Sequence, residues 1–189
     1  PLALLVALGC QPQATPLYAP WEEGLTLTYE NPSLPQPERT QQRLELRVAQ
    51  SAMAPGRPDR VGFDVSCMGM TRRMHLGFQR GAIDFVDANG AVQSHVFPAG
   101  FPAVEAWEDM GTRYRVLGRA AWTGPKALAA TADPVGVWVE ARPAHGPAVR
   151  SFYLPDLGLA EERQERDGQW VPVNLLVGRR FTDLPKTSR

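Results

Sequence analysis

Apolar and polar residues trade places at every second position along most of this chain, and that period constrains the fold more than any other feature. Leu25, Leu27 and Tyr29 alternate with Thr26 and Thr28, and Leu44, Leu46 and Val48 alternate with Glu45 and Arg47. Met74, Leu76 and Phe78 alternate with His75 and Gly77, and Val135, Val137 and Val139 with Gly136 and Trp138. A period of two turns one face inward and the other to water, which is the pattern of antiparallel strands. Turn chemistry agrees. Asp87-Ala88-Asn89-Gly90 and Arg166-Asp167-Gly168-Gln169 carry the Asn-Gly and Asp-Gly pairs that accept the positive φ of tight hairpins. The stretch Asn31–Arg39 holds Pro32, Pro35 and Pro37, so it is no central strand. Only Pro125–Ala132 has local helix propensity, enough for two turns at most. The expectation is a mainly β domain of about ten antiparallel strands with little helix. Loops fall near 31–40, 53–59, 98–106 and 123–134.

The N-terminal run Pro-Leu-Ala-Leu-Leu-Val-Ala-Leu-Gly-Cys is apolar and uncharged. It is too short to span a bilayer, which takes about 20 residues, and it has the length of a secretory h-region. Residues 1–9 are therefore expected to be a truncated signal-peptide h-region. Val6-Ala7-Leu8-Gly9-Cys10 resembles the lipobox of bacterial lipoproteins, in which small residues precede a Cys whose thiol takes the lipid. Ala7 stands where Leu is usual. The alternatives are a plain signal peptide with a chance Cys, or a buried first strand. Residues 10–16 then read as the lipidated Cys10 and a polar, proline-containing tether, residues 17–185 as the β domain, and 186–189 as a tail. A lipidated Cys10 leaves Cys67 a lone thiol at the end of an apolar strand, and a Cys10–Cys67 disulfide is the competing account.

Two further segments carry a resemblance. Tyr18-Ala19-Pro20-Trp21-Glu22-Glu23-Gly24-Leu25-Thr26-Leu27-Thr28-Tyr29 resembles the opening motif of a group of uncharacterised bacterial lipoproteins: Pro, then Gly, then Trp-x-Tyr. Phe152-Tyr153-Leu154-Pro155-Asp156-Leu157-Gly158-Leu159-Ala160-Glu161-Glu162 is similar to the Tyr-Tyr-Ala-Pro-Gly-Val-Gly-Leu-Val-Lys segment near the C-terminus of that group. Leu27 stands where the group has Trp, and Asp156 where it has Gly. Residues 45–130 show no such match. The resemblance implies an envelope protein, membrane-anchored on the periplasmic or cell-surface side, with a single curved antiparallel sheet like the half-barrels of lipoprotein carriers. It implies no catalytic residue. Structurally, Gly24 should open the first strand after a turn, and Pro155 and Gly158 should bend a long strand as it crosses the sheet.

Chemistry has few candidates. Lys+Arg and Asp+Glu both number 20, so the chain lacks the basic field of a nucleic-acid binder. His75, His95 and His145 are scattered, and no Gly-x-Ser-x-Gly elbow surrounds Ser66 or Ser94. Glu105, Glu108 and Asp109 around Trp107 suggest a sugar platform, but two carboxylates must flank a cleft to work on a glycan; the bland reading is a solvated acidic loop. Glu161–Asp167 reads as an exposed mixed-charge hairpin that keeps a sheet edge soluble. No Cys/His cluster has zinc spacing, so neither a metal nor a cofactor is expected.

Ligand capacity remains. Five Trp, seven Phe and five Met supply adaptable apolar surface. Since Val135, Val137 and Val139 claim one face of their strand, Trp138 points to the other, where it either packs under a loop or lines an open groove. Trp138, Trp122 and Phe78 are the residues expected to line an apolar cavity, if one exists. The expected function is a non-catalytic binding or assembly module, its partners the membrane through the lipid anchor and an apolar ligand or an envelope protein. A lipid or lipoprotein carrier or acceptor is the alternative, and an envelope glycan or ester hydrolase a third.

Overall fold

The computed structural model describes residues 17–182 apart from 55, 56, 130 and 133. The expected signal-peptide segment 1–9, the expected lipidation site Cys10 with its tether 10–16, and the expected tail at 186–189 lie outside the described residues. Twelve strands form one antiparallel sheet: β1 (Leu25–Glu30), β2 (Leu44–Ala54), β3 (Arg57–Cys67), β4 (Met70–Gln79), β5 (Ala82–Val86), β6 (Val92–Phe97), β7 (Ala106–Asp109), β8 (Thr112–Ala121), β9 (Val135–Pro143), β10 (Val149–Leu154), β11 (Gly158–Arg166) and β12 (Gln169–Phe181). Among the described residues the only helical pieces are α1 (Glu38–Gln41) and a 3-10 turn at Lys126–Leu128, and neither is long enough to cross a membrane.

The order across the sheet is β6-β5-β4-β3-β2-β1-β12-β11-β10-β9-β8-β7. Each half is therefore a meander, and the two halves join where β12 returns to pair with β1. The sheet curls until it is nearly a closed barrel. Phe97 on edge strand β6 meets Tyr153 on β10, with ring centroids 4.8 Å apart, so the face carrying Tyr153, Val137 and Val139 is the interior. On the other half the interior rows are Leu25/Leu27/Tyr29, Leu44/Leu46/Val48 and Val61/Phe63/Val65, aligned across β1–β3.

The two ends of the barrel differ. At the end where β1 begins, Tyr18, Ala19, Phe101 and Leu157 are buried and close it. At the opposite end the interior row opens to half-buried Leu44, Leu46 and Val65, and the turn tips expose Met68 and Met110.

The two segments that carry the family resemblance meet at the closed end. The Trp21 indole N–H donates to Asp156 Oδ1 at 3.2 Å, and the Asp156 amide donates to the Leu17 carbonyl. A Cβ on Gly158 would sit 2.8 Å from Pro20 Cδ, so glycine is what lets the N-terminal segment pack against this turn. The Tyr29 hydroxyl donates to the Leu159 carbonyl at 2.8 Å, and burial raises that phenol above its ordinary range. Asp156 holds φ at +59°, a left-handed conformation that Asp tolerates better than most residues.

Several expectations are corrected. There are twelve strands rather than about ten, because β7 is too short to show alternation and β2 and β3 run into the expected loop at 53–59. The expected single curved antiparallel sheet with little helix is what the chain forms, and it curls to nearly a closed barrel. Leu154–Gly158 is a tight turn between β10 and β11, not a bend within one strand. Glu161–Arg166 lies in β11, which is hydrogen-bonded on both sides, so it guards no edge; only Asp167-Gly168 is the turn. The acidic segment around Trp107 is edge strand β7 rather than a loop, with the Trp107 ring stacked on Tyr114 at 4.9 Å.

Candidate functional site

Cross-strand register builds a hollow on the outer face of β8–β12. Gly118 pairs with Trp138, Trp138 with Phe152, and Phe152 with Glu161, forming one rung. One rung toward the closed end, Ala120 pairs with Gly136. One rung toward the open end, Arg115 pairs with Glu140, Glu140 with Arg150, and Arg150 with Arg163. Side chains are thus nearly absent at Gly118, Ala120 and Gly136 and bulky immediately around them. The result is a cavity of about 410 Å³ lined by Leu117, Trp122, Trp138, Phe152, Arg163 and Trp170 among others, within the range of small-ligand sites.

Both glycines are required. Gly118 follows a bulge at Leu117 and holds φ at +122°, where an L side chain is strained. A Cβ on Gly136 would lie 2.5 Å from both the Phe152 ring and the Tyr153 carbonyl oxygen. Phe152 therefore lies flat across Gly136 and is only 1% exposed, although it is on the outer face. It forms the floor, and Trp138 packs against it with centroids 4.9 Å apart.

The polar side of the hollow is a ladder of paired charges. Arg142 Nε donates to Glu140 Oε1 at 2.8 Å, and Arg150 Nε donates to Oε2 at 2.9 Å. Burial alone would raise the Glu140 carboxyl, but the hydrogen bonds from Arg142 and Arg150 outweigh it and hold the pKa below its ordinary value. Glu161, also buried, accepts from Arg163 Nε at 2.5 Å. The guanidiniums are also stacked: Arg150 lies 4.0 Å from the Trp170 ring centroid and Arg163 lies 5.2 Å from that of Trp138.

Of the residues singled out from the sequence, Trp138 and Trp122 line this one cavity, on the face opposite the barrel interior. Phe78 lies elsewhere, in the interior core beside Ile83 on β5. Arg150, Arg163 and Glu161 were not expected here; the period-two rule places them on the face of Trp138 only once register across β9–β11 is known. The histidines are dispersed. His95 Nδ1 lies 2.6 Å from buried Asp84 on the β5–β6 edge, and that hydrogen bond raises its pKa. His75 sits on the outer face beside Gly62, its pKa lowered first by burial and then by Arg60 and Arg73. His145 occupies the β9–β10 connection. Among the described residues no group of three His, Cys, Asp or Glu is placed to hold a metal, and Cys67 is a free, half-buried thiol.

A second polar cluster lies inside the barrel. Asn174 Nδ2 donates to Glu162 Oε1 at 3.0 Å, and Ser151 Oγ approaches Glu162 Oε2 at 3.5 Å. Burial pushes the neighbouring Tyr153 phenol up to about 12. These groups satisfy one another, and the ring of Tyr153 is packed against Phe97.

By sequence the chain matches no protein family and no curated protein. Two solved structures are similar. A presumed lipoprotein from Parabacteroides distasonis aligns over 89% of this chain and 100% of its own, with a TM-score of 0.50 at 12% identity. A presumed exported protein with a YmcC-like fold from Bacteroides fragilis aligns over 88% and 100%, with a TM-score of 0.49 at 12% identity. At such identity the likeness speaks to the fold alone.

Proposed function

We propose that the protein is a non-catalytic binding module of the bacterial cell envelope, tethered by lipid on Cys10, that holds an apolar ligand in the outer groove of β8–β12. The observation that carries this reading is the hollow at Ala120, walled by Leu117, Trp122, Trp138 and Trp170 and floored by Phe152. The bulge at Leu117 and the positive-φ Gly118 leave open space on β8, and Gly136 admits the Phe152 ring that floors the hollow. The lipobox-like Val6–Cys10 supports the anchor, and the description of one fold relative as a presumed lipoprotein agrees with it.

Geometry favours the same arrangement. The N-terminal segment enters at the closed end of the barrel, and a seven-residue tether from Cys10 spans at most about 25 Å. The apolar end of the groove, at Trp122, lies at that same closed end. A membrane-derived ligand would therefore meet the groove at its apolar end.

Native mass spectrometry of the chain extracted gently from membranes tests the reading. The expected result is a bound mass that is lost in Ala120→Trp, a variant whose indole fills the hollow and whose fold is checked by circular dichroism. A wild-type protein free of any bound mass, or one whose bound mass persists in Ala120→Trp, overturns it.

A further inference from the structure

We infer that the ligand of this groove is an amphiphile with an acidic head, its apolar body lying between Trp122 and Trp138 and its head at Arg150 and Arg163. The inference rests on the groove being a ligand site and adds the chemical class of the ligand. It comes from the three rungs, which grade from apolar to charged along one direction. The rung nearest the closed end holds only Ala120 and Gly136, beside Trp122, while Leu117 sits in the bulge between the middle and charged rungs. The middle rung holds Trp138 and Phe152, with the Glu161 carboxylate already bound by Arg163. The rung toward the open end is Arg115, Glu140, Arg150 and Arg163.

Donor accounting makes the charged rung a receptor for an anion. A guanidinium carries five N–H donors. Arg150 uses Nε and Nη2 on Glu140, and Arg163 uses Nε on Glu161. The Arg150 Nη1 group and both Nη groups of Arg163 carry no hydrogen bond to another described residue. Around them Arg115, Arg142, Arg150 and Arg163 face Glu140, Glu161 and Glu165, which leaves the ladder one positive charge in excess. The two carboxylates that balance most of it are buried, whereas the Arg150 and Arg163 side chains are 33% and 41% exposed, so an entering head meets cations first. Stacking on Trp170 and Trp138 holds both guanidiniums at the rim, which reduces the ordering cost of binding. A cationic head would meet the wrong charge, and a neutral one would gain little from the free donors.

Intrinsic tryptophan fluorescence of the full chain carrying Cys10→Ser, titrated below micellar concentrations, tests this with three probes of one chain length: decanoate, decyl phosphate and 1-decanol. The expected result is that at least one acid binds about tenfold or more tightly than the alcohol, the tighter acid identifying carboxylate or phosphate as the head. Arg163→Gln should remove most of that gap by weakening the acid far more than decanol, and Arg150→Gln should do the same. Equal binding of acids and alcohol overturns the acidic head while the apolar site stands. Loss of decanol binding in both variants shows that the arginines act only through the fold, and also overturns it. Failure of all three probes to bind the wild type overturns the apolar site itself.

Discussion

The outer faces of the two halves of the sheet are finished in different ways. Toward the open end of β3 and β4 the outer side chains are exposed pairs: Arg73 with Asp64 and the Ser66 hydroxyl with Thr71, while nearer the closed end Arg60 donates to the Asp87 and Ala88 carbonyls. On β8–β12 the same face carries a second packed layer, with Phe152 and Glu140 buried and guanidiniums stacked over indoles. The exposed pairs of β3 and β4 serve solubility, whereas the second layer on β8–β12 buries rings around a hollow, as a binding surface does.

The difference is open to direct challenge through stability. The largest effect expected is at Phe152: Phe152→Ala should cost about 3–5 kcal/mol, because it removes a ring that is 1% exposed and floors the groove. Its counterpart on the other half, Ser66→Ala, should change stability by no more than about 0.5 kcal/mol. Urea denaturation of both variants checks the pair. Similar values for the two would mean that the outer face of β8–β12 is an ordinary solvated surface.

A smaller effect is expected at the charged rung. Glu140→Gln should cost about 1–3 kcal/mol, since a buried carboxylate with three guanidinium partners loses its charge. Asp64→Asn, at an exposed pair, should cost less than about 1 kcal/mol. The pH dependence has a fixed sign. The Glu140 pKa is depressed in the folded state, so its stabilisation is complete above the unfolded carboxyl pKa of about 4.3. It is lost as the pH falls through the lower folded value. Denaturation midpoints followed from pH 7 to pH 3 should converge between wild type and Glu140→Gln; a gap that stays constant would show that the pairing with Arg142 and Arg150 carries none of the effect.

Much of this architecture is legible in the sequence, and the reasons it stops being so are local. Leu25/Leu27/Tyr29 and Val137/Val139 announce their faces because they alternate strictly with the residues of the other face and are buried, whereas Val135 at the start of β9 is exposed. Trp138 is placed on the opposite face by the same rule. The hollow beside it is not legible, because it depends on Gly118, Ala120 and Gly136 becoming neighbours across β8–β9, a matter of register set by the bulge at Leu117. Glu161 is misread as an exposed hairpin residue for a related reason. Its charged run continues along β11 between two partner strands, where stacked arginines supply the cover that apolar residues usually give. The junction of Trp21 with Asp156 is likewise invisible until the two ends of the chain are folded together.

The central claim is that the ligand sits on the outer face of β8–β12 and not in the barrel interior. Crystals soaked with 10-bromodecanoate test it most directly, since anomalous scattering places the bromine at the end of the chain and density places the carboxylate. The account predicts bromine beside Trp122 and Ala120 with the carboxylate at Arg150 and Arg163. Bromine inside the barrel, among Leu44, Leu46 and Val65, or no ordered bromine at all would contradict it.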